Sequence, residues 1–188
     1  MLQSTQRIQT CEELAEYCQD GDQRAYAELL DRYGARIHRF ILGLVGNPHD
    51  AEDLTQDVFV KAYRNIHSFD TRRSFGPWLF TIARRTAATF YRKKRPTVRI
   101  ESDPPSDQAD PQSQAESQDD CKRIWKYART LKKRYFQVLW LRYREEFSMT
   151  EIAEAMGITQ LNTKVLLHRA RTDLAKKLTS AGMLKRER

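Results

Sequence analysis

The sequence contains little glycine or proline and has no long apolar run. Seven glycines and six prolines among 188 residues are typical of helical proteins rather than of β-sandwiches or barrels. No apolar run approaches the roughly 18 residues that a membrane-spanning helix needs, and the first residues lack the apolar core of an export signal. We therefore predict a cytoplasmic protein without a membrane partner.

Patterns for disulfides and metal sites are also missing. The three cysteines form no CxxC pair, and their odd number does not suit a disulfide framework. The four histidines are scattered and lack the spacing of zinc ligands. We expect reduced thiols, no bound metal and no cofactor.

Charge is abundant and divides the chain into three parts. The net charge is +3 in residues 1–95, −6 in residues 96–120 and +11 in residues 121–188. A basic excess favours nucleic acid as a partner over the competing interpretation, an acidic membrane surface. The middle part holds four of the six prolines and almost no apolar residue after Ile100, so it cannot fold alone. We predict an all-α protein whose two helical domains, 1–95 and 121–188, are joined by a flexible acidic linker.

Apolar residues recur at helical spacing through the first domain. Thr10 and Glu13 form a capping-box pattern before a short helix, and Asp22 is placed to cap the next one. We expect Asp50 to cap a third helix, and a fourth to run from about residue 74 to residue 95.

The second domain contains the pattern of a helix-turn-helix. Ser148 and Glu151 form a capping box, Gly157 supplies the turn, and Thr159 caps a second helix. Such a helix can enter the major groove of DNA. The residues that it leaves facing outward combine groups that reach base edges with groups that neutralise phosphates: Gln160, Lys164, Val165, His168, Arg169 and Arg171. The alternative is a helical hairpin whose basic face is merely solvated.

The fourth helix is basic and aromatic. Residues 71–95 contain eight basic side chains and no acid. Helical spacing places Phe80, Arg84, Tyr91 and Arg95 on one stripe, with Trp78 beside it. Rings that stack on unpaired bases, together with cations that hold the backbone, suit single-stranded or melted nucleic acid. The alternative is that Trp78 and Phe80 are ordinary core residues.

Acids cluster at the start of the third helix, where three interpretations compete. Asp50 fits helix capping. Asp50, Glu52, Asp53 and Asp57 could bind a metal for phosphodiester chemistry, although no histidine or further acid supports them. The third interpretation is a polar docking surface for a basic partner protein, formed by Asp53, Gln56 and Asp57.

Taken together, these segments resemble the extracytoplasmic-function (ECF) type sigma factors of bacterial RNA polymerase. The resemblance covers about residues 12–95 and 121–178. Its segments are DAEDLTQDVFVKAYRNIHSF (50–69), FGPWLFTIARRTAATFYRKKRP (75–96), LKKRYFQVLWLRYREEFSMTEIAEAMGIT (131–159) and KVLLHRARTDLAKKL (164–178).

The resemblance implies a transcription initiation factor, not an enzyme. Residues 1–95 would be sigma region 2, which docks on core polymerase and holds the melted −10 element, and residues 121–188 would be region 4, which reads the −35 element. The implied partners are promoter DNA, the clamp coiled coil of the largest polymerase subunit, the polymerase flap region and an anti-sigma factor. The implied contacts are Asp53, Gln56 and Asp57 for polymerase, Arg72, Arg73, Trp78, Arg84 and Arg85 for the −10 strand, and Lys164, Val165, His168, Arg169 and Arg171 for the −35 duplex.

Some residues depart from the family pattern. Arg85 stands where the family usually has Asn, and Lys132 stands where Pro commonly follows Leu. In the recognition helix, Leu161, Asn162 and Thr163 replace the usual Gly-Thr-Val. No promoter consensus is therefore carried over to this chain.

Two other functions remain as alternatives. A free-standing helix-turn-helix regulator would explain residues 148–178, but it would leave the acidic and the aromatic helices without a role. Such regulators usually dimerise on palindromic sites, and we find no dimerisation coiled coil in the sequence. A metal-dependent nuclease would use the acids of the third helix.

Overall fold

The computed structural model describes residues 9–94 and 117–183, with side chains from residue 121 in the second range. Within these ranges the chain forms eight α-helices, one 3-10 turn and no strand, which confirms the all-α prediction. The helices are α1 (Cys11–Gln19), α2 (Gln23–Val45), α3 (Pro48–Asn65), α4 (Phe75–Lys93), α5 (Ser117–Arg129), α6 (Lys133–Tyr143), α7 (Met149–Met156) and α8 (Gln160–Ser180), and the 3-10 turn is Ile66–Ser68. We call α1–α4 the first module and α5–α8 the second module. Helix α5 begins within the range assigned to the linker, of which residues 96–116 lie outside the described residues.

Local capping signals set the first helix starts as predicted. The Thr10 hydroxyl accepts a hydrogen bond from the Glu13 backbone N–H at 3.1 Å, and the Glu13 carboxylate accepts one from the Thr10 N–H at 2.8 Å. Asp22 accepts from the Arg24 N–H at 2.8 Å. Each side-chain cap of this kind stabilises a helix by roughly 1 kcal/mol.

The prediction that Asp50 caps α3 is wrong. The helix begins at Pro48, which fits the first helical position because no N–H is needed there. Asn47 is the cap, and its side chain accepts from the Asp50 N–H at 3.1 Å. The Asp50 carboxylate instead binds Lys94 Nζ at 2.7 Å.

Helix α4 takes its N-terminal acceptor from a distant residue. Ser74 precedes the helix but makes no side-chain capping bond. The carboxylate of Glu12, on α1, accepts from the Phe75 N–H at 2.9 Å. This contact fixes the start of α4 against α1. The helix ends at Lys93, and Arg95 lies outside the described residues.

The first module packs around α2, which contacts α1, α3 and α4. Its inner face contributes Leu29, Ile37 and Ile41, and they meet Val58 of α3 and Leu79 of α4; all five are fully buried. Burying each side chain of this size contributes about 1.5–3 kcal/mol relative to exposure. The outer side of α3 takes no part in this core. The outer side of α8, in the second module, is likewise left open to partners.

The second module contains the predicted helix-turn-helix. Ser148 and Glu151 form the capping box of α7 at 3.2 and 2.9 Å, and Gly157 adopts a left-handed φ of 65° in the turn. Thr159 caps α8 by accepting from the Asn162 N–H at 3.2 Å. Thr163 is fully buried where α8 crosses α7, and its hydroxyl donates to the Thr159 carbonyl at 3.1 Å.

The two modules share one hydrophobic core. The ring of Phe40 on α2 lies 5.1 Å from that of Phe80 on α4, and 6.4 and 6.3 Å from those of Phe136 and Trp140 on α6. Phe147, just before α7, packs edge-on against Phe80 at 5.5 Å. These contacts place α6 on α2 and α7 on α4.

One glycine makes room for this contact. A Cβ added at Gly43 on α2 would collide with the ring of Phe136, whereas one added at Gly34 on the same helix would meet nothing within 4 Å. Both positions have ordinary helical backbone. The close approach of α6 therefore requires the absence of a side chain at position 43.

We expect Gly34→Ala and Gly43→Ala to change stability in opposite directions. Gly34→Ala should raise the free energy of unfolding by about 0.5–1 kcal/mol, because alanine costs less conformational entropy in a helix. Gly43→Ala gains the same term but overpacks the module interface, which costs about 1–3 kcal/mol. Urea titration of both variants measures this. Equal stabilisation by the two changes would contradict the packing of Phe136 on Gly43.

Candidate polymerase and nucleic-acid interfaces

An acidic surface lies on the outer side of α3. Asp53, Gln56 and Asp57 are exposed, while Leu54 and Val58, on the opposite side of the same helix, are buried. We call these three exposed residues the docking stripe. Asp57 makes one long contact, to Lys61 Nζ at 3.7 Å, in which Asp57 is largely exposed and Lys61 is half-buried. Such a pair is worth under about 1 kcal/mol, so the carboxylate is available to another partner.

The structure gives the nuclease interpretation no support. The described residues contain no cluster of His, Cys, Asp or Glu that could hold a metal ion. The buried Cys18 thiol also stays protonated at neutral pH, because burial, and to a smaller extent the charge of Asp22, raises its pKa to about 11. Among the acids of α3, Asp50 pairs with Lys94, while Asp53 and Asp57 are exposed.

The outward face of α8 is basic and open. The predicted residues on this face are all exposed: Gln160, Lys164, Val165, His168, Arg169 and Arg171. Two of them bind other parts of the second module. Gln160 donates to the Thr150 hydroxyl on α7 at 2.5 Å, and Arg171 donates to the Tyr143 hydroxyl at 2.5 Å. Asp173 is the only acid in α8, so the face suits a polyanion.

The residues predicted to hold the −10 strand lie before and along α4. Arg72 is exposed and binds Asp70 through two nitrogens, at 2.8 and 2.9 Å. These hydrogen bonds lower the pKa of Asp70 to about 2. Arg85 is exposed, whereas Trp78 is half-buried with its ring 5.1 Å from Phe69 and 5.4 Å from Phe75. One face of Trp78 therefore belongs to the core.

Helix α7 of the second module covers part of this basic surface. Arg84 Nε donates to the Ala155 carbonyl in the last turn of α7 at 3.0 Å. Arg73 binds Glu154 at 3.2 Å. Two of the predicted −10 residues are thus occupied by the first helix of the helix-turn-helix, while Arg72 and Arg85 remain exposed.

The environment of Arg84 is electrostatically unfavourable. Burial lowers the pKa of its guanidinium, and the positive charges of Arg85 and Arg134 lower it further. Its hydrogen-bond partner is a neutral carbonyl. Charge-assisted bonds to an anion are stronger than bonds to a neutral acceptor, so the carbonyl offsets the burial of Arg84 less than an anion would.

The predicted stripe of Phe80, Arg84, Tyr91 and Arg95 is wrong at Phe80. Phe80 is 1% exposed, because α4 is packed by α2 on one side and by the second module on another. Tyr91 is half-buried, and its hydroxyl donates to the Leu44 carbonyl at 2.5 Å. Arg95 lies outside the described residues. The ring of Phe80 is therefore part of the core, whereas Tyr91 keeps part of its ring exposed.

Sequence reasoning missed an ion pair between the modules. Two nitrogens of Arg36 on α2 lie 2.8 and 2.7 Å from one oxygen of Glu145, which follows α6. The Trp140 indole N–H donates to the other oxygen at 3.0 Å. The Glu145 side chain is only 3% exposed. No local pattern could reveal this contact, because the paired residues are 109 positions apart.

Comparison with known proteins agrees with this architecture. The family model for Sigma-70 region 2 matches residues 29–97, and that for Sigma-70 region 4 matches residues 121–174. The chain is 32% identical over 170 residues to the ECF RNA polymerase sigma factor SigW of Bacillus subtilis, covering 84% of this chain and 91% of that protein. It is 34% identical over 149 residues to SigM of the same organism, covering 78% and 91%.

Solved structures share the fold. The sigma factor RpoE of Bartonella quintana, solved in complex with the anti-sigma factor NepR, is 25% identical with a TM-score of 0.69, over 82% of this chain and 96% of that one. CnrH, solved with the cytosolic domain of CnrY, gives a TM-score of 0.69 at 24% identity, over 90% of this chain and 97% of that one.

A region 2 module and a region 4 module in one helical chain define a sigma factor of bacterial RNA polymerase. The chain belongs to the ECF family of sigma factors. Its function is that of an alternative sigma factor, which binds core RNA polymerase and directs it to promoters, and it is not an enzyme. The predicted family and function are confirmed. None of the helices in residues 9–94 and 117–183 combines the length and the hydropathy that a membrane span requires.

Proposed function

We propose that the two modules divide the work of promoter recognition. The first module docks on polymerase and holds the unpaired −10 strand, and the second reads the −35 duplex. The domain limits in this proposal are 1–95 and 121–188, with residues 96–120 as the linker. The observation that carries it is the separation of surfaces: the docking stripe is exposed on α3, and the basic face of α8 is exposed on the other module.

Polymerase binding is assigned to the docking stripe. Asp53, Gln56 and Asp57 present two carboxylates and an amide from one side of a single rigid helix, and they bind the clamp coiled coil of the largest subunit. The second module contacts the polymerase flap region. Both assignments rest on membership in the family and on the exposure of these residues.

The −10 contacts need a rearrangement. Arg72, Arg73, Trp78, Arg84 and Arg85 hold the melted strand in this proposal, but Arg73 and Arg84 are engaged by α7. In the Arg73–Glu154 pair Arg73 is exposed and Glu154 is half-buried, and a pair with one exposed partner contributes about 1 kcal/mol or less. The aromatic contacts between the modules contribute more, since each buried ring is worth about 1.5–3 kcal/mol. We propose that polymerase and DNA together separate the modules and release both arginines.

Regulation and location complete the proposal. We propose that an anti-sigma factor binds the chain and controls it, because the structurally similar RpoE of Bartonella quintana was solved in complex with the anti-sigma factor NepR. The chain acts in the cytoplasm, where its polymerase partner is.

Asp57→Arg tests the docking assignment. The substitution should abolish binding to core polymerase, because it places a cation where a carboxylate meets a basic partner, while the helical circular dichroism stays unchanged. Asp31→Arg makes the same change of charge at an exposed position on α2 and should bind core normally. Native binding by the Asp57 variant in a gel-filtration assay would remove the assignment.

Arg169→Ala tests the −35 assignment. Loss of one phosphate contact should weaken binding of the holoenzyme to a −35 duplex and reduce the slope of log affinity against log salt by about 0.9. Lys122→Ala removes the same charge from an exposed position on α5 and should leave the slope unchanged. A salt titration in which the two variants behave alike would show that Arg169 faces away from DNA.

A further inference from the structure

Two apolar residues stand on the outward face of the recognition helix. Leu161 is 71% exposed, more than any other large apolar side chain in the part of the chain that the structure describes. Val165, one helical turn later, is 42% exposed. Single exposed apolar residues are common on protein surfaces. Their position on α8, however, gives this pair a particular set of neighbours.

Helical geometry places the pair directly opposite the core. At about 100° per residue, the buried face of α8 runs through Thr163, Leu167 and Ala170, and Leu161 and Val165 lie on the other side. They are four residues apart, so their side chains are neighbours. They therefore form the ridge of the helix that projects farthest from the second module.

Basic side chains lie on both flanks of this ridge. The same geometry places Lys164 and Arg171 on one side of it and Arg169 on the other, and all three are exposed. The polar side chain at the start of the helix is held aside, because Gln160 donates to the Thr150 hydroxyl on α7. A ridge with an apolar centre and cationic flanks matches a groove that has phosphates on both walls.

The floor of the major groove offers one apolar group. Each base pair displays donors and acceptors there, and thymine adds its C5-methyl group. Leu161 and Val165 have no polar side-chain atom, so they cannot pair with the donors and acceptors. Contact with a methyl group removes apolar surface of both partners from water. The two residues are about 6 Å apart along the helix, so they reach bases within about two steps of 3.4 Å.

We propose that Leu161 and Val165 read thymine methyl groups in the −35 duplex and thereby select thymine at one or two positions. This inference rests on the proposed −35 role of α8 and adds the base that its centre recognises. A second copy of this chain, or a partner protein, are the other occupants that an apolar ridge could have. The cationic flanks favour DNA over both.

Replacing thymine by deoxyuridine tests the proposal, because it removes only the methyl group and keeps base pairing. A −35 sequence is first selected from a random duplex library with holoenzyme assembled from the full chain and core polymerase. Deoxyuridine then replaces each thymine in turn, and the affinity of each duplex is measured. We expect a loss of about fourfold for each contacted methyl group.

The variants assign the effect to its residues. Each variant should lose the preference for thymine only where its own side chain contacts the methyl group. Leu161→Ala should bind the thymine and deoxyuridine duplexes equally at one position and keep the difference in affinity at the other, and Val165→Ala should do the reverse. Such a double-mutant cycle assigns each contact to its residue. Asn162→Ala, at an exposed neighbouring position on the flank, should keep both effects. Leu161 is largely exposed, so its truncation leaves the core unchanged.

Several results would overturn the proposal. The first is a selected −35 sequence that contains no thymine. The second is equal affinity of the original chain for the thymine and deoxyuridine duplexes. The third is a loss of affinity on deoxyuridine substitution that both alanine variants keep unchanged. A dimer in sedimentation that Leu161→Ala dissociates, with no deoxyuridine effect, would assign the ridge to a second copy. A holoenzyme that bound no duplex at all would contradict the proposed −35 function of α8, and this result differs from a missing deoxyuridine effect.

Discussion

The ring of Phe40 contacts aromatic residues from both modules, and the position of the second module depends on this contact. Phe136 and Trp140 meet it from α6, and Phe80 meets it from α4. Each of these buried rings contributes about 1.5–3 kcal/mol, more than the exposed ion pairs around them. The apolar contact therefore fixes where α7 lies, and the polar contacts across the interface follow from it.

The Arg36–Glu145 pair is one of those polar contacts. A carboxylate as buried as that of Glu145 is costly unless its oxygens are satisfied, and here Arg36 and the Trp140 indole satisfy both. The pair adds little net attraction. It makes other placements of the second module unfavourable, because any shift would leave a buried charge without its partners. Apolar packing thus holds the second module on the first, and the buried Arg36–Glu145 pair makes this arrangement specific.

Helix α4 has to serve three surfaces at once. Leu79 and Ala83 face the first module, Phe80 reaches the second module, and Arg85 faces solvent. This sharing explains why Arg84 is half-buried beside two other arginines while it bonds to a neutral carbonyl. The packing of α7 on α4 tolerates this cost, which a phosphate bound to Arg84 in the proposed function would remove. In the proposed function, the packing of α7 on α4 and the capture of the −10 strand compete for the same side chain.

Local signals in the sequence predicted most of the local structure, although Asn47 rather than Asp50 caps α3. The capping boxes at Thr10 and Ser148, the turn at Gly157 and the outward face of α8 depend on neighbours within one or two turns. The exposure of Asp53, Gln56 and Asp57 followed from the periodicity of α3. Phe80 was misjudged because its burial depends on a second module that helical periodicity does not reveal.

Contacts between distant parts of the chain could not be predicted in the same way. The Arg36–Glu145 pair and the bond from Arg84 to Ala155 join residues 109 and 71 positions apart. Neither residue type nor spacing marks such partners in a single sequence. The resemblance to ECF sigma factors predicted the two modules and their functions, whereas the interface between the modules became visible only in the structure.

The distance between the two modules tests the proposed competition most directly. Spin labels can be placed through Asn65→Cys at the exposed end of α3 and Lys176→Cys on the exposed side of α8, with Cys121→Ser removing the exposed native thiol. Pulsed electron paramagnetic resonance should give one narrow distance distribution for the free chain and a different, longer one in the complex with core polymerase and melted promoter. A complex that opens the promoter while keeping the distance of the free chain would contradict it.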